Sequence, residues 1–114
     1  MELIDFGPSR AVTVERFESS GTRSVHLGFG EGEAHVYVLH FDAGGEIGRH
    51  EAGFGQLFLV VEGSGWVEGD RSERLPLEAG QAAFFRRGEV HAKGTATGMV
   101  AVMVQVSDLD VLQE

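Results

Sequence analysis

Glycine divides this chain into short apolar segments, and this division limits the fold more than any other feature. The 114 residues contain 17 glycines and two prolines. Most of the glycines lie between short runs rich in valine, leucine and phenylalanine, a spacing that is typical of strands joined by turns. No stretch has the sustained period of an amphipathic helix. The sequence therefore predicts an all-β protein, with two sheets packed face to face or rolled into a barrel.

Nine segments have the composition of strands. They cover residues 12–17, 25–29, 35–41, 56–62, 65–68, 74–77, 81–85, 90–93 and 99–106. Residues 63–65 and 69–70 are interpreted as turns, and the segment after residue 106 as no more than a single turn. Two strands, 57–61 and 99–104, are apolar on both faces, so a second sheet or a partner subunit must cover their outer side. A chain of this size does not easily cover both faces by itself, and we therefore expect a homodimer.

Composition and charge exclude several classes of partner and site. The chain has no cysteine, which removes disulfides, thiolate nucleophiles and cysteine metal sites. The formal net charge is −9, and such a surface repels phosphate backbones and anionic membranes, so we expect no nucleic-acid or membrane partner. The N-terminus lacks the basic and apolar regions of a secretory signal, which predicts a cytoplasmic protein. The length predicts one domain, residues 1–114.

Two blocks of the sequence combine glycines with histidines at regular positions. The first block runs Gly44, five residues, His50, one residue, Ala52, three residues, Gln56, six residues and Gly63. The second runs Gly80, five residues, Arg86, one residue, Gly88, two residues, His91, three residues and Thr95. These spacings resemble the two signature motifs of the cupin superfamily, and the resemblance covers about half of the chain. It implies a small RmlC-like cupin with a double-stranded β-helix, the jelly-roll barrel of that family.

The resemblance also implies a metal site, which this chain keeps only in part. In the family, two histidines and a glutamate of the first motif and one histidine of the second hold a divalent metal. Here Ala52 replaces the second histidine and Gln56 replaces the glutamate. We therefore expect a weakened site that binds one Zn, Ni, Fe, Mn or Cu ion weakly. The candidate metal ligands are His50, Gln56 and His91. Three further side chains are close enough in sequence to add a ligand: His35, Glu46 and Glu51.

Alternation along the strands predicts a ligand pocket beside these residues. Gln56 and Phe58 lie on one face of a strand, so both should point into the barrel. An apolar cavity with a few polar groups is the usual form of a small-molecule site. Two arginines near the motifs should lie at the barrel mouth and attract an anionic ligand. The expected pocket residues are His35, Tyr37, Arg49, Phe58 and Arg86.

These features support three hypotheses of function. The first is a small cupin-like protein that binds a small molecule in the barrel pocket, anionic if the arginines contact it. The second is a metal-dependent enzyme of dioxygenase or isomerase type, with a site of two histidines and a glutamine. The third is a ligand-sensing or storage module without catalysis. His50 and His91 are the candidate catalytic residues, because imidazoles exchange protons near neutral pH. The barrel by itself does not choose between the three.

Overall fold

The computed structural model describes residues 1–112 and consists almost entirely of strands. Gln113 and Glu114, the last two residues of the predicted domain, lie outside the described residues. The strands are β1 (Glu2–Asp5), β2 (Val12–Thr13), β3 (Arg23–Ser24), β4 (Gly28–Phe41), β5 (Glu46–Glu51), β6 (Gly55–Glu68), β7 (Arg74–Glu78), β8 (Gln81–Phe85), β9 (Val90–Gly94) and β10 (Met99–Val111). A short 3₁₀ helix, Pro8–Arg10, follows β1. Within residues 1–112, no helix is long and apolar enough to cross a membrane.

Eight of these strands form two antiparallel sheets that share β6. The first sheet has the order β1-β8-β6-β10-β4 and contains the first half of β6, which pairs with β8 and β10. The second half of β6 pairs with β7 and β9, and β9 pairs in turn with β5. The two short strands β2 and β3 form a separate pair. The prediction of an all-β fold with two sheets is confirmed, and the arrangement is that of a jelly-roll barrel.

The strand β6 changes its pairing partners near Gly63, where its register with β10 also shifts. Gly63 has a φ of 77°, in the left-handed region that favours glycine. A Cβ atom at this position would lie only 2.4 Å from the carbonyl oxygen of Gly98. Glycine therefore allows one continuous strand to bend from the first sheet into the second.

The two sheets enclose a hydrophobic core between their inner faces. Alternate residues of the strands point inward, as the period of two requires. The main core cluster consists of Phe58, Val60, Val67, Leu77, Ala83, Phe85, Met99, Ala101 and Met103. Gln56 and Phe58 are both buried on this inner side, as the alternation predicts. A smaller cluster on the outer face of the first sheet contains Leu57, Phe84 and Val111.

The observed strands differ from the predicted ones at several places. The four-residue β1 and the polar β5 are missing from the prediction, because neither has a long apolar alternation. Residues 63–65 continue β6 rather than forming a turn, since the strand bends there without ending. The predicted strand 12–17 is reduced to β2, and Phe17 has a left-handed φ of 63°. Of the predicted strand 25–29, only the last two residues are in a strand, at the start of β4. The segment after residue 106 continues β10 to Val111, because it pairs with the start of β4.

The outer face of the first sheet leaves apolar side chains exposed. Val36, Val38 and Val61 are all exposed there. The 14-residue strand β4 also ends the strand order of this sheet, so within residues 1–112 no strand pairs with its outer edge. A long edge strand beside an apolar face is a surface that proteins normally cover. The homodimer stays a prediction, and this face is where we place its interface.

We expect the protein to have the mass of two chains by light scattering at micromolar concentration, and Val36→Glu to reduce that mass to one chain. A charge placed on the apolar outer face opposes its burial against a second copy. Val12→Glu is the matched control, because Val12 and Val36 are both 67% exposed and Val12 lies outside this sheet. A wild-type mass of one chain, or an equal effect of both variants, contradicts the proposed interface.

Candidate functional site

The two histidines of the sequence motifs meet between β5 and β9. The pairing of these strands places His50 directly opposite His91, and their ring centroids are 4.5 Å apart. His91 is fully buried, whereas His50 is exposed, so the His50 ring lies on the solvent side of the pair. The ring centroid of Phe85 also lies 4.5 Å from that of His91. The pair therefore joins the hydrophobic core to the protein surface.

The imidazole of His91 has no hydrogen-bond partner for either ring nitrogen among the described residues. A neutral imidazole has one donor and one acceptor, and each buried group left unmatched costs about 1–3 kcal/mol. Burial, and to a lesser degree the charges of Lys93 and His50, lower the pKa of His91 to about 3. His91 is therefore a neutral ring at physiological pH, with two polar atoms that the protein leaves unsatisfied.

A buried lysine lies on the same face of β9, two residues after His91. Lys93 is fully buried, and its Nζ donates a hydrogen bond to Oε1 of Gln56. Nζ also lies 4.8 Å from the ring centroids of both Phe58 and Phe85. Burial lowers the pKa of Lys93 to about 7. We call the four polar side chains at this place, His50, Gln56, His91 and Lys93, the inner cluster.

Lys93 is not among the predicted site residues, although two signals in the sequence point to it. Lys93 is the only lysine among nine basic residues, the other eight being arginines. It is also two positions from His91, and residues two apart on a strand share a face. If His91 points into the barrel, Lys93 must point there too.

The inner cluster does not fit a tightly bound divalent metal. The oxygen that Gln56 would offer accepts its hydrogen bond from Lys93. His50 donates from Nδ1 to the carbonyl oxygen of Gly48 at 2.8 Å, which leaves only Nε2 for another contact. Within residues 1–112, no group of three or more His, Cys, Asp or Glu side chains is placed to hold a metal ion. A metal cation would also be repelled by a charged Lys93. Weak metal binding at His50, Gln56 and His91 stays a prediction that this donor set does not support.

The two predicted pocket arginines turn away from the inner cluster. Arg49 donates to the carbonyl oxygens of Gly69 and Asp70 at 3.0 and 2.8 Å, and so fastens β5 to the loop after β6. Arg86 lies 5.2 Å above the ring of Phe84, which belongs to the outer cluster of the first sheet. The structure therefore gives both arginines contacts outside the barrel interior.

The other two polar pocket residues form a separate group. The ring of His35 lies 6.3 Å from that of Tyr37 and 5.6 Å from that of Phe54, and its Nε2 bonds to the carboxylate of Glu33. His35 and Tyr37 share the face of β4 that the alternation predicts, but their ring contacts do not extend to His50 or His91. Among the contacts of residues 1–112, Phe58 is the expected pocket residue that reaches the inner cluster, through the amine of Lys93.

The buried amine should make stability depend on pH in a defined window. The folded state releases the Lys93 proton near pH 7, whereas the unfolded chain keeps it up to about 10.5, so the unfolding free energy should rise with pH between these values. Each unit of pKa difference corresponds to about 1.4 kcal/mol, which predicts a change of a few kcal/mol. Urea denaturation of the wild type and Lys93→Met tests this. Parallel pH profiles for the two proteins contradict it, because the variant lacks the buried amine.

Metal content tests the fit of the donor set. We expect the purified wild type to carry far less than one divalent metal per chain by mass spectrometry. The double variant Gln56→Glu/Lys93→Ala should bind Co²⁺ more tightly, because it removes the competing amine and adds an anionic ligand. Gln81→Glu/Lys93→Ala is the matched control, since Gln81 accepts a hydrogen bond from the backbone N–H of Glu78 and lies at the far end of β8 from the residue that pairs with Gln56. Stoichiometric metal in the wild type would contradict this expectation, because it would show that a metal ion displaces the Lys93 amine from Gln56.

Comparisons with known proteins agree with this fold. The sequence pattern of the family described as Cupin matches residues 14–113. Among curated proteins, no sequence matches. An RmlC-like cupin from Shewanella frigidimarina is 27% identical with a TM-score of 0.62, over 66% of this chain and 67% of that chain. A cupin-like protein from Thermotoga maritima is 21% identical with a TM-score of 0.62, over 71% of this chain and 65% of that chain.

A third similar structure is a predicted oxalate decarboxylase from Thermotoga maritima, 20% identical with a TM-score of 0.57. The match covers 68% of this chain and 65% of that chain. The chain thus spans about two thirds of the length of these three proteins. Since the family pattern extends over nearly all of the sequence and the solved structures share the fold, this chain belongs to the cupin family.

Proposed function

We propose that this cupin binds a small anionic molecule at the inner cluster, without the metal that its family motif implies. The observation that carries the proposal is the buried ring of His91, whose two nitrogens have no partner among the described residues. Buried polar groups in folded proteins are nearly always matched by protein, water or a ligand. A ligand with oxygen acceptors would match the N–H of His91 and the amine of Lys93 together.

The local charge supports an anion in particular. The chain carries 18 acidic and 9 basic residues, yet no carboxylate of residues 1–112 hydrogen-bonds to a member of the inner cluster. Burial is the cause of the lowered pKa of Lys93, and no nearby acid counteracts it. An anionic group placed beside Lys93 would compensate its buried charge. The anionic ligand would thus supply the negative charge that no described carboxylate provides beside Lys93.

The walls of the site support a small ligand. The rings of Phe58 and Phe85 flank Lys93, and both residues are fully buried in the main core. His50 is exposed and covers His91, so we place the entrance at the His50 ring. Aromatic walls around a few polar groups suit a compact carboxylic acid better than a nucleotide or a sugar phosphate.

The inner cluster distinguishes between the two alternative hypotheses. A dioxygenase or isomerase that depends on a metal needs more good ligands than the inner cluster provides, since such iron sites typically use two histidines and a carboxylate. A ligand-sensing or storage module needs only the binding that we propose here, and it remains compatible with the site. The cytoplasmic location and the homodimer predicted from the sequence remain parts of this proposal.

Ligand-dependent stability tests the anion site. Oxalate and glycolate, added at constant ionic strength, should raise the unfolding temperature with saturation, and a ligand at 100 times its Kd should stabilise by about 2.7 kcal/mol. Lys93→Met and His91→Phe should lose this shift, because each removes a donor from the inner cluster. Arg87→Met is the control for overall charge, since it removes a cation on the exposed surface. Equal shifts in all four proteins, or none in the wild type, contradict the proposal.

A further inference from the structure

The inner cluster holds the only primary side-chain amine of the protein. The other eight residues among the lysines and arginines are all arginines, and each of them is at least partly exposed. Lys93, by contrast, is fully buried. An arginine binds carboxylates through two parallel hydrogen bonds, but it does not lose its proton and does not act as a nucleophile. Among the lysine and arginine side chains, the single lysine is thus the one that lies inside the barrel.

The surroundings of this amine are those of a reactive lysine. Two phenylalanine rings lie 4.8 Å from Nζ, and the only hydrogen bond of Nζ among the described residues goes to the neutral amide of Gln56. Lysines are activated as nucleophiles in such apolar pockets, because removal from water favours the uncharged amine with its free electron pair.

We propose that the Lys93 amine forms an imine with a small 2-oxo acid held at the inner cluster. The proposal rests on the anion site described above and names its ligand class. A 2-oxo acid carries a carboxylate, which the cluster would bind as an anion, and next to it a carbonyl carbon that an amine attacks.

The step is balanced without any further reactant. The electron pair of Nζ forms a bond to the carbonyl carbon, and the carbonyl π electrons move to its oxygen, which takes up a proton. The nitrogen then gives up its protons, the hydroxyl group leaves as water, and the carbon–nitrogen double bond remains. The neutral ring of His91 has a nitrogen without a partner and lies on the same face of β9, so it is placed to relay a proton between nitrogen and leaving hydroxyl.

Reductive trapping of the full-length protein tests the imine. Glyoxylate with cyanoborohydride should add a single carboxymethyl group to Lys93, measured by intact mass and located by peptide mapping. The α-amine of the chain is the only other primary amine that can react, and mapping separates it. Lys93→Arg keeps the charge and should lose this adduct while the α-amine is still labelled.

The decisive comparison is between folded and urea-unfolded protein. A lysine that is merely buried is protected, so folding would slow its labelling. A reactive amine beside a ligand site is labelled faster in the folded protein, and oxalate, which has no reactive carbonyl, should suppress that labelling by competition. Slower labelling of Lys93 in the folded protein than in urea overturns the imine.

The outcomes separate this inference from the proposed function. If oxalate raises the unfolding temperature but folding slows the labelling of Lys93, the anion site stands and the imine is wrong. If folding accelerates labelling equally by glyoxylate and by the uncharged acetaldehyde, with no effect of oxalate, Lys93 is a reactive amine, but the anion site and the 2-oxo acid as its ligand class are wrong. Loss of both effects overturns both.

Discussion

Because β6 pairs with β8 and β10 in its first half and with β7 and β9 in its second, a single strand connects the two sheets. The bend at Gly63 sets where this change occurs, and it does so with a backbone conformation and a close contact that only glycine accepts. The position of the bend decides which side chains of β6 reach each sheet. Gln56 belongs to the first half and therefore meets the end of β9, where Lys93 lies, across the interior.

The polar groups inside this barrel carry an electrostatic cost. A buried amine with only an amide oxygen and aromatic rings around it keeps little of the stabilisation that water gives its charged form. The family motif expects a carboxylate where Gln56 lies, and a carboxylate would have formed an ion pair with Lys93. The amide removes that anion, so burial dominates the behaviour of the amine. The amide at position 56 and the behaviour of Lys93 are therefore physically linked.

Much of the fold could be predicted from the sequence, because glycine spacing and alternation are local signals. The strands around Phe58, Ala83 and Ala101 lie where the sequence predicts them, and Phe58 is buried on the same side as Gln56, as the alternation predicts. The strand β5 could not be predicted, since a strand with polar residues on both faces lacks the periodic signal and owes its place to pairing with β9. The proximity of His50 and His91 followed from the resemblance of the two blocks to the cupin motifs. The contact between Gln56 and Lys93 did not, because it joins two strands whose relative height inside the barrel depends on the bend in β6.

The arginines show the other limit of sequence reasoning. Arg49 and Arg86 follow motif positions closely, but the direction of a long side chain depends on the nearest acceptors and rings. For Arg49 these are the carbonyl groups of the loop after β6, and for Arg86 the ring of Phe84. The partners of Arg49 lie 20 and 21 positions away in the sequence. A site built from positions near a motif therefore needs the three-dimensional contacts before a role can be given to each side chain.

The long strand β10 lies between β4 and β6 in the first sheet, and its last residues pair with the beginning of β4. The first sheet is thus closed by a segment that the ribosome makes after all the other strands. Folds that rely on pairing between distant parts of the chain have a high contact order and fold in milliseconds to seconds rather than microseconds. Until β10 has emerged, the outer apolar faces of β4 and β6 lack their central neighbour and are open to unwanted association. The protein is therefore most vulnerable to aggregation during the interval between the synthesis of β6 and the docking of β10.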